Sequence, residues 1–457
     1  MRFHSKSIEE HGEVPLPDAG RWESLVNHWN RHEGERKPEA DSENACFVVS
    51  VRRRGALVHP EAQLAEIVGL VEAQGDRVVG TLTQELVRPD ARTLLRKGVA
   101  EQVAEAAEAV NANLLVLDAE LTPSQARNLE DVTGFAVCDR EAVILNVFER
   151  NATTRRARMQ VEIAHLEYLR PRIRGIGLNM DQQAGGVLGS RGPGETASEL
   201  LARKLDRRLA QLRTGLVDLK RSDGARRKQR SDAKRIALVG YTNAGKTSLM
   251  NALTHTALSA RSRPFETLDT TSRCLSRHGS DVLLSDTVGF IRRLPERLLA
   301  SFESTLAEAC EASLLVIVVD VADPEHRLHL ETTEGILERL GAAAIPRLYA
   351  FNKADRLDAP PSDLPALAGG HPYFVLSSHD DGAVFKLRER LLDEVRSNLA
   401  SRTLFVPYHD ARAVSRIYAK CRVLASEARD NGMFYTVEGQ PHVLDALSNT
   451  AGEGGQR

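Results

Sequence analysis

Apolar residues recur along this chain with two different periods. Phe47 to Val51, Leu114 to Leu117, Ile236 to Val239, Leu314 to Val319 and Arg347 to Phe351 are short runs bounded by turn residues. They are too short for helices and too apolar for loops, and so predict buried strands. Arg77 to Thr83 and Phe135 to Cys138 predict two more strands, Pro60 to Gln74 and Val99 to Val110 predict helices, and Thr122-Pro123-Ser124 caps a helix running toward Thr133. Strand and helix alternate, which predicts a small N-terminal α/β domain over residues 45–150.

Near residue 150 the period changes to that of long helices. Met159, Ile163, Leu166, Leu169 and Ile173 fall on one stripe, and Leu205, Leu209, Leu212, Leu216 and Leu219 repeat at alternating four and three. Two such helices can zip into an antiparallel hairpin over residues 151–225, the stripe being its packed seam. The stretch from Gly175 to Gly194 holds Gly185-Gly186, Gly189 and Arg191-Gly192-Pro193-Gly194, too many turn residues to continue either helix, and predicts a mobile tip. Arg221 to Arg230 predicts an exposed linker. Residues 232–400 return to strand and helix, and Thr403 to Val406, Ala411 to Ala428 and Met433 to Val437 predict strand, helix and strand in a small α+β unit over residues 401–457. Residues 1–44 are polar and weakly periodic, although Trp22, Leu25, Val26 and Trp29 can line one helical face; they predict a flexible extension with no assigned function. The fold class is therefore α/β and multidomain.

The chemistry sits where the strand Ile236 to Val239 ends. Gly240-Tyr241-Thr242-Asn243-Ala244-Gly245-Lys246-Thr247 follows at once, and Ser248 to Leu253 predicts a helix after it. Glycines at both ends let backbone amides wrap a phosphate at a helix N-terminus; Lys246 is placed for the β and γ phosphates and Thr247 for Mg2+. A chance Gly-rich turn is the bland alternative, and the flanking strand and helix argue against it. Downstream, Val282 to Leu284 delivers Asp286-Thr287-Val288-Gly289, where the carboxylate can hold Mg2+ through water and the Gly289 amide can sense a γ phosphate. Asp-x-x-Gly alone is a weak motif. Between the two lies Pro264 to Thr271, whose threonines Thr267, Thr270 and Thr271 are equal candidates for swinging onto the metal. Arg347 to Phe351 ends in Asn352-Lys353-Ala354-Asp355; the Asp355 carboxylate can accept from guanine N1–H and the exocyclic amine, which adenine cannot match, so an ATPase fails here. The stem of Lys353 should cover the base and Asn352 should brace the phosphate loop. Tyr373 to Leu376 brings Ser377-Ser378-His379 near the base. Any one of these motifs has an innocent explanation; four in this order define a GTP- and GDP-binding domain with a mostly parallel sheet.

Phe290 follows Gly289 where some GTPases place a water-orienting glutamine, and an apolar ring cannot polarise water. Slow intrinsic hydrolysis is expected. Asn243 can bind a potassium ion bridging the phosphates, or can simply brace the loop.

Composition adds bounds. The net charge of -2 hides a basic segment, since Arg155 to Arg235 holds twenty Lys and Arg against nine Asp and Glu. A solvated coiled-coil surface is the ordinary explanation for such a run; a mostly one-signed face is also a candidate RNA-binding surface. Cys46, Cys138, Cys274, Cys310 and Cys421 are scattered singly, so neither a zinc site nor a disulfide framework is predicted and a reducing cytoplasm is the expected compartment. No apolar run is long enough to span a bilayer.

The whole pattern resembles the HflX family of translational GTPases, from about Gln63 to the C-terminus. Beyond the GTPase motifs, the resemblance is carried by Leu121-Thr122-Pro123-Ser124-Gln125-Ala126-Arg127-Asn128-Leu129-Glu130, by Val161-Glu162-Ile163-Ala164 with Tyr168-Leu169, and by Gly185-Gly186 and Arg191-Gly192-Pro193-Gly194-Glu195-Thr196. Phe265-Glu266-Thr267-Leu268-Asp269 and Asp286 to Ile291 are similar to the family's switch segments, and by that match Thr267 is the threonine on Mg2+. The segment Lys97-Gly98-Val99-Ala100-Glu101 departs from the family pattern, as do Asp269-Thr270-Thr271 and Ser377-Ser378-His379. The resemblance implies a cytoplasmic, monomeric GTPase, with peripheral association conceivable, that binds the large ribosomal subunit and its rRNA and helps split stalled or hibernating ribosomes. A GTP-binding RNA scaffold with little turnover is the alternative.

Overall fold

The computed structural model describes residues 44–55, 59–173, 197–228, 234–255, 271–276, 282–295, 297–299, 310–396, 400–429, 431–439, 444–445 and 447–448. The extension 1–43, the glycine-rich tip and the segment from Pro264 to Thr270 lie outside them.

Strands β1 (Ala45–Arg53), β2 (Arg77–Leu86), β3 (Leu114–Leu117) and β4 (Ala136–Asp139) form an all-parallel sheet in the order β2-β1-β3-β4. Helices α1 (Pro60–Ala73), α2 (Lys97–Ala109), α3 (Pro123–Thr133) and α4 (Arg140–Asn151) connect or follow the strands. Both faces are covered. Cys46 and Val48 pack with Ile67, Leu70 and Phe148 on one side, while Phe47, Val49 and Val51 pack with Val103, Leu117 and Leu129 on the other. That is why β1 reads as an unbroken apolar run instead of an alternation. Helix α3 starts as expected: the Thr122 hydroxyl accepts from Gln125 N–H, Gln125 answers with a side-chain bond back to Thr122 N–H, and Gly134 closes the helix at φ 72.

Helix α4 has no counterpart among the predicted elements. Its apolar residues Val143, Ile144, Leu145, Val147 and Phe148 are all buried, so no single stripe marks it, and Asp139 caps it at the end of the preceding strand. The strand there also runs one residue further than predicted, to Asp139.

Helices α5 (Arg155–Ile173) and α6 (Ala197–Lys228) pack together antiparallel: Met159 lies against Gly215, and Arg170 near the other end of α5 reaches Asp206. Met159, Ile163, Leu166 and Ile173 meet Leu205, Leu209 and Leu212 in the predicted seam, with Leu216 and Leu219 at its margin. Leu169 departs from it and packs against the larger core shared with α1 and α4. The expected linker Arg221 to Arg230 is helical as far as Lys228, because α6 continues straight through it. The basic face is also less one-signed than predicted. Arg170 makes a two-pronged pair with Asp206 (2.5 and 2.9 Å), Arg208 another with Glu162 (2.6 and 3.0 Å), and Arg172 stacks on Tyr168 while bonding to Asp139 at 2.8 Å.

The second sheet has six strands in the order β10-β9-β8-β5-β7-β6, parallel except for β6. These are β5 (Lys234–Gly240), β6 (Thr271–Ser276), β7 (Val282–Asp286), β8 (Leu314–Asp320), β9 (Arg347–Asn352) and β10 (Tyr373–Val375). Helices α7 (Lys246–Thr254), α8 (His326–Arg339), the short α9 (Leu364–Leu367) and α10 (Asp381–Arg396) accompany it. Ile236 and Leu238 face α7 and α10, whereas Ala237 and Val239 face α8.

The C-terminal unit differs from the predicted strand, helix and strand. Helix α11 (Ala411–Lys420) is shorter than Ala411 to Ala428, and Arg422–Arg429 is strand β12, pairing with β13 (Gly432–Gly439), which also pairs with β11 (Ala400–Pro407). The backbone partner offered by β13 decides this, against the weak local preference of the segment.

Candidate functional site

The carboxyl ends of β5, β7, β8 and β9 converge on one loop. At Gly240, φ is +154 and an added Cβ would lie 2.2 Å from the Val318 carbonyl oxygen, so only glycine lets the chain leave β5 beside β8. Gly245 is likewise confined: φ is +89 and a Cβ would meet the Asn352 amide nitrogen at 2.3 Å. Helix α7 begins at the next residue, so its positive end points into the loop. Lys246 Nζ donates to the carbonyls of Gly240 (3.1 Å) and Tyr241 (2.8 Å). Burial pushes its pKa down to about 8, against the pull of Asp286. An ammonium so desolvated is strongly drawn to an anion.

Thr247 Oγ1 donates to Asp286 Oδ2 at 2.7 Å, and Asp286 is fully buried. This hydroxyl and carboxylate are hard oxygen donors of the kind Mg2+ takes, which fits the predicted metal position. Thr287 anchors the end of β7 by donating to Leu238 O (2.7 Å). Gly289 lies against the loop, where a Cβ would stand 2.8 Å from Thr242 Cγ2 and 3.2 Å from Lys246 Nζ. Beside it Val288 and Phe290 are buried, Phe290 to 1% exposure, so the ring is core and has no access to a reacting water.

Asn352 joins the two halves of the site: its Nδ2 donates to Ala244 O (3.0 Å) and its Oδ1 accepts from Ser378 N–H (3.0 Å). Lys353, itself at φ +63, donates to Asn243 O (2.7 Å) and pairs with Asp320. Ala354 N–H bonds Leu376 O, which brings Asp355 beside buried Ser377 and exposed His379. A hydrogen bond from Ser377 is the main reason the Asp355 carboxyl is held below its usual pKa, and Asp355 is exposed, an acceptor facing outward. A polar cleft runs along the loop between Thr242, Asn243, Asp320 and Thr333.

Nearly every predicted site residue within the described segments is gathered here. Phe265, Glu266, Thr267, Leu268 and Asp269 lie outside those segments, as does Thr270; Thr271 opens β6, paired opposite Asp286. The pattern of motifs did not reveal Glu66, Arg292 and His329, which contact Tyr241, nor Arg140 and Glu325, which pair with Glu66 and Arg292 in turn. They come from four separate stretches of the chain, with only Glu325 and His329 close in sequence, and no motif spacing links them.

A glycine-flanked phosphate loop, a carboxylate at the end of the neighbouring strand and an Asn-Lys-x-Asp strand end define the class: a P-loop protein for guanine nucleotides. Three family profiles match in succession, described as GTP-binding GTPase N-terminal (residues 61–149), GTP-binding GTPase Middle Region (151–230) and 50S ribosome-binding GTPase (235–353). GTPase HflX of Gluconacetobacter diazotrophicus is 40% identical over 430 residues, covering 85% of this chain and 94% of its own, and GTPase HflX of Escherichia coli is 35% identical over 359 residues, covering 78% and 84%. A GTP-binding protein from Sulfolobus solfataricus, solved with GDP, covers 77% of this chain and 99% of its own at 23% identity and a TM-score of 0.42. The chain belongs to the HflX family of GTPases, and it is a GTP-hydrolysing enzyme.

Proposed function

We propose that this GTPase binds the large ribosomal subunit and uses its nucleotide state to split stalled or hibernating ribosomes. The observation that carries the proposal is the burial of Phe290: the residue after Gly289 supplies no group to orient water, so an external partner must complete the site. Support comes from the 50S ribosome-binding GTPase profile over residues 235–353. In this scheme the amides of Gly240 to Lys246 cradle the phosphates, Lys246 and Gly289 meet the γ phosphate, and Thr247 and Thr267 hold Mg2+. Asp286 backs the metal through water, Phe265 to Asp269 close over the nucleotide, and Asn352 to Asp355 with Ser377, Ser378 and His379 hold guanine. Asn243 takes a potassium ion or braces the loop; exchanging sodium for potassium with wild type and Asn243→Ala separates these. We further propose that the protein acts as a cytoplasmic monomer, divided at residues 45–150, 151–225, 232–400 and 401–457. Among the described residues no helix is long and apolar enough to cross a membrane.

The hairpin is the proposed rRNA-facing element, in a sharper form than the sequence suggested. Arg170, Arg172 and Arg208 pair with Asp206, Asp139 and Glu162, whereas Arg155, Lys204 and Arg207 are exposed along it. Phosphate release with and without ribosomal subunits, and sedimentation of ribosomes with a non-hydrolysable GTP analogue, test the proposal. Ribosome-stimulated turnover and splitting are expected, and both should fail when residues 175–194 are deleted while GDP affinity is retained. Normal splitting by that deletion would refute the hairpin assignment, and unstimulated full-rate turnover would refute partner completion.

A further inference from the structure

The N-terminal sheet and the nucleotide site meet at Tyr241, the second residue of the phosphate loop. Its carbonyl accepts from Lys246, and its ring lies flat on His329 with centroids 3.7 Å apart. Its hydroxyl accepts from Arg292 N–H at 3.0 Å and donates to the carboxylate of Glu66. Glu66 belongs to α1, 175 residues earlier in the chain. The same carboxylate accepts from the guanidinium groups of Arg292 (3.3 Å) and Arg140. Arg140 also donates to Arg292 O (3.0 Å) and to Asp118, and Arg292 donates to Glu325 (2.9 Å), whose other oxygen accepts from His59 N–H (2.8 Å). The side chains of Glu66, Arg292, Arg140 and Glu325 are only 13%, 11%, 2% and 5% exposed. In such surroundings each charge is tolerable only while its partners stay in place.

The cluster acts on the elements that handle the γ phosphate. Arg292 lies three residues beyond Gly289, and the intervening Phe290 is tied to the loop on both sides, its N–H to Gly240 O (3.0 Å) and its carbonyl to Thr242 N–H (2.7 Å). The loop and the Gly289 segment must be correctly spaced to bracket a γ phosphate. Both of them terminate on one carboxylate that the N-terminal unit supplies. We propose that Glu66 is a positioning residue for GTP hydrolysis, acting through Tyr241 and Arg292 to set the distance between the phosphate loop and Gly289. Docking of the N-terminal unit and engagement of the γ phosphate are then coupled, and the coupling is reciprocal.

The simpler role, glue between two units, makes different predictions. The test uses the full chain and four forms: wild type, Glu66→Gln, Tyr241→Phe and the double variant. Glu66→Gln keeps the volume but removes the charge and turns one accepting oxygen into a donor, so the acceptor shared by Tyr241, Arg292 and Arg140 is lost; Tyr241→Phe keeps the ring on His329 and the carbonyl on Lys246, removing only the hydroxyl. Each single variant is expected to lower kcat by about tenfold with KM and GDP affinity near wild type, and the double variant to fall no further than the worse single, because both break the same Tyr241–Glu66 contact. A kcat for Tyr241→Phe that is unchanged or raised overturns the proposal. So does a double-variant loss equal to the product of the singles, or a loss of GDP affinity in step with kcat, which is what glue alone predicts. Should Glu66→Gln fail to fold, kcat and GDP affinity of Tyr241→Phe decide by themselves.

Discussion

The two larger sheets of this protein concentrate charge at the carboxyl ends of their parallel strands and use it in opposite ways. At the edge of the β5 sheet, Lys246 donates to two carbonyl oxygens, which are dipoles and cannot neutralise it, with the pull of Asp286 nearby, and Asp355 faces outward. At the edge of the N-terminal sheet, Arg140 lies between the carboxylates of Asp118 and Glu66, and both pin its guanidinium in the charged form despite burial. The open crevice at such an edge is the usual ligand position in parallel sheets. Here Arg292 and Glu325 of the GTPase unit reach into the N-terminal one and take part in its charge cluster. An edge whose charges are spent on each other gives coupling between units, while an edge with uncancelled charge gives affinity for an anion.

The largest effect should come from breaking the internally paired edge. Arg140→Met leaves Asp118 a buried carboxylate facing only the Gln63 amide and takes from Glu66 one of its two guanidinium partners, and is expected to cost about 3–5 kcal/mol in urea unfolding, the usual result of removing one partner from a buried pair. The folded fraction should still bind GDP near wild-type strength; loss of GDP binding by well-folded protein would erase the contrast between the edges.

Next comes Asp355→Asn. The amide can no longer accept from the guanine amine, so GTP affinity should fall by roughly a hundredfold and xanthosine nucleotide should become the better ligand, since buried mispairing carries that scale of penalty. Calorimetric titration with both nucleotides decides it, and undiminished GTP affinity would remove Asp355 from the site.

A milder perturbation is pH. Lys246 has its pKa lowered to about 8 in the folded protein, and bound phosphate must raise it again. Its charged form is therefore already present below that value, and above it nucleotide binding requires uptake of a proton. GDP affinity should be flat below about pH 8 and weaken roughly tenfold per unit above it. A flat profile to pH 9.5 would show that Lys246 is still charged at that pH in the nucleotide-free protein, against the effect of burial.

The smallest effect belongs to the hairpin surface, where Arg170 and Asp206 are 39% and 46% exposed. Arg170→Gln should change unfolding stability by less than about 1 kcal/mol, as water and salt screen such pairs. A larger loss in thermal melting would mean that the hairpin pairs behave like the buried cluster.

The nucleotide site was legible because its chemistry is local. Gly240, Gly245, Lys246 and Thr247 occupy one turn of chain, where backbone shape alone dictates the residue types, and Asn352 to Asp355 form a second compact signature at a strand end. The seam of the hairpin was legible for a similar reason, since Met159, Ile163 and Leu166 obey a period that only one structure satisfies. Helix α4 escaped because burial on all sides removes periodicity, and β12 escaped because its partner strand lies outside its own sequence window.

What the sequence by itself determined, then, is what short-range geometry can encode: the phosphate loop, the guanine motif, the alternation of strand and helix, and the apolar seam. Tertiary structure alone decided that Glu66, Arg140, Tyr241, Arg292 and Glu325 form one buried cluster, and that Arg172 and Arg208 are structural cations. The physical reason is that a charge has no period and no required neighbour in the chain. Its meaning depends on what lies within a few ångströms in space, and residues brought together from both ends of a 266-residue interval are near one another only once the two sheets have docked.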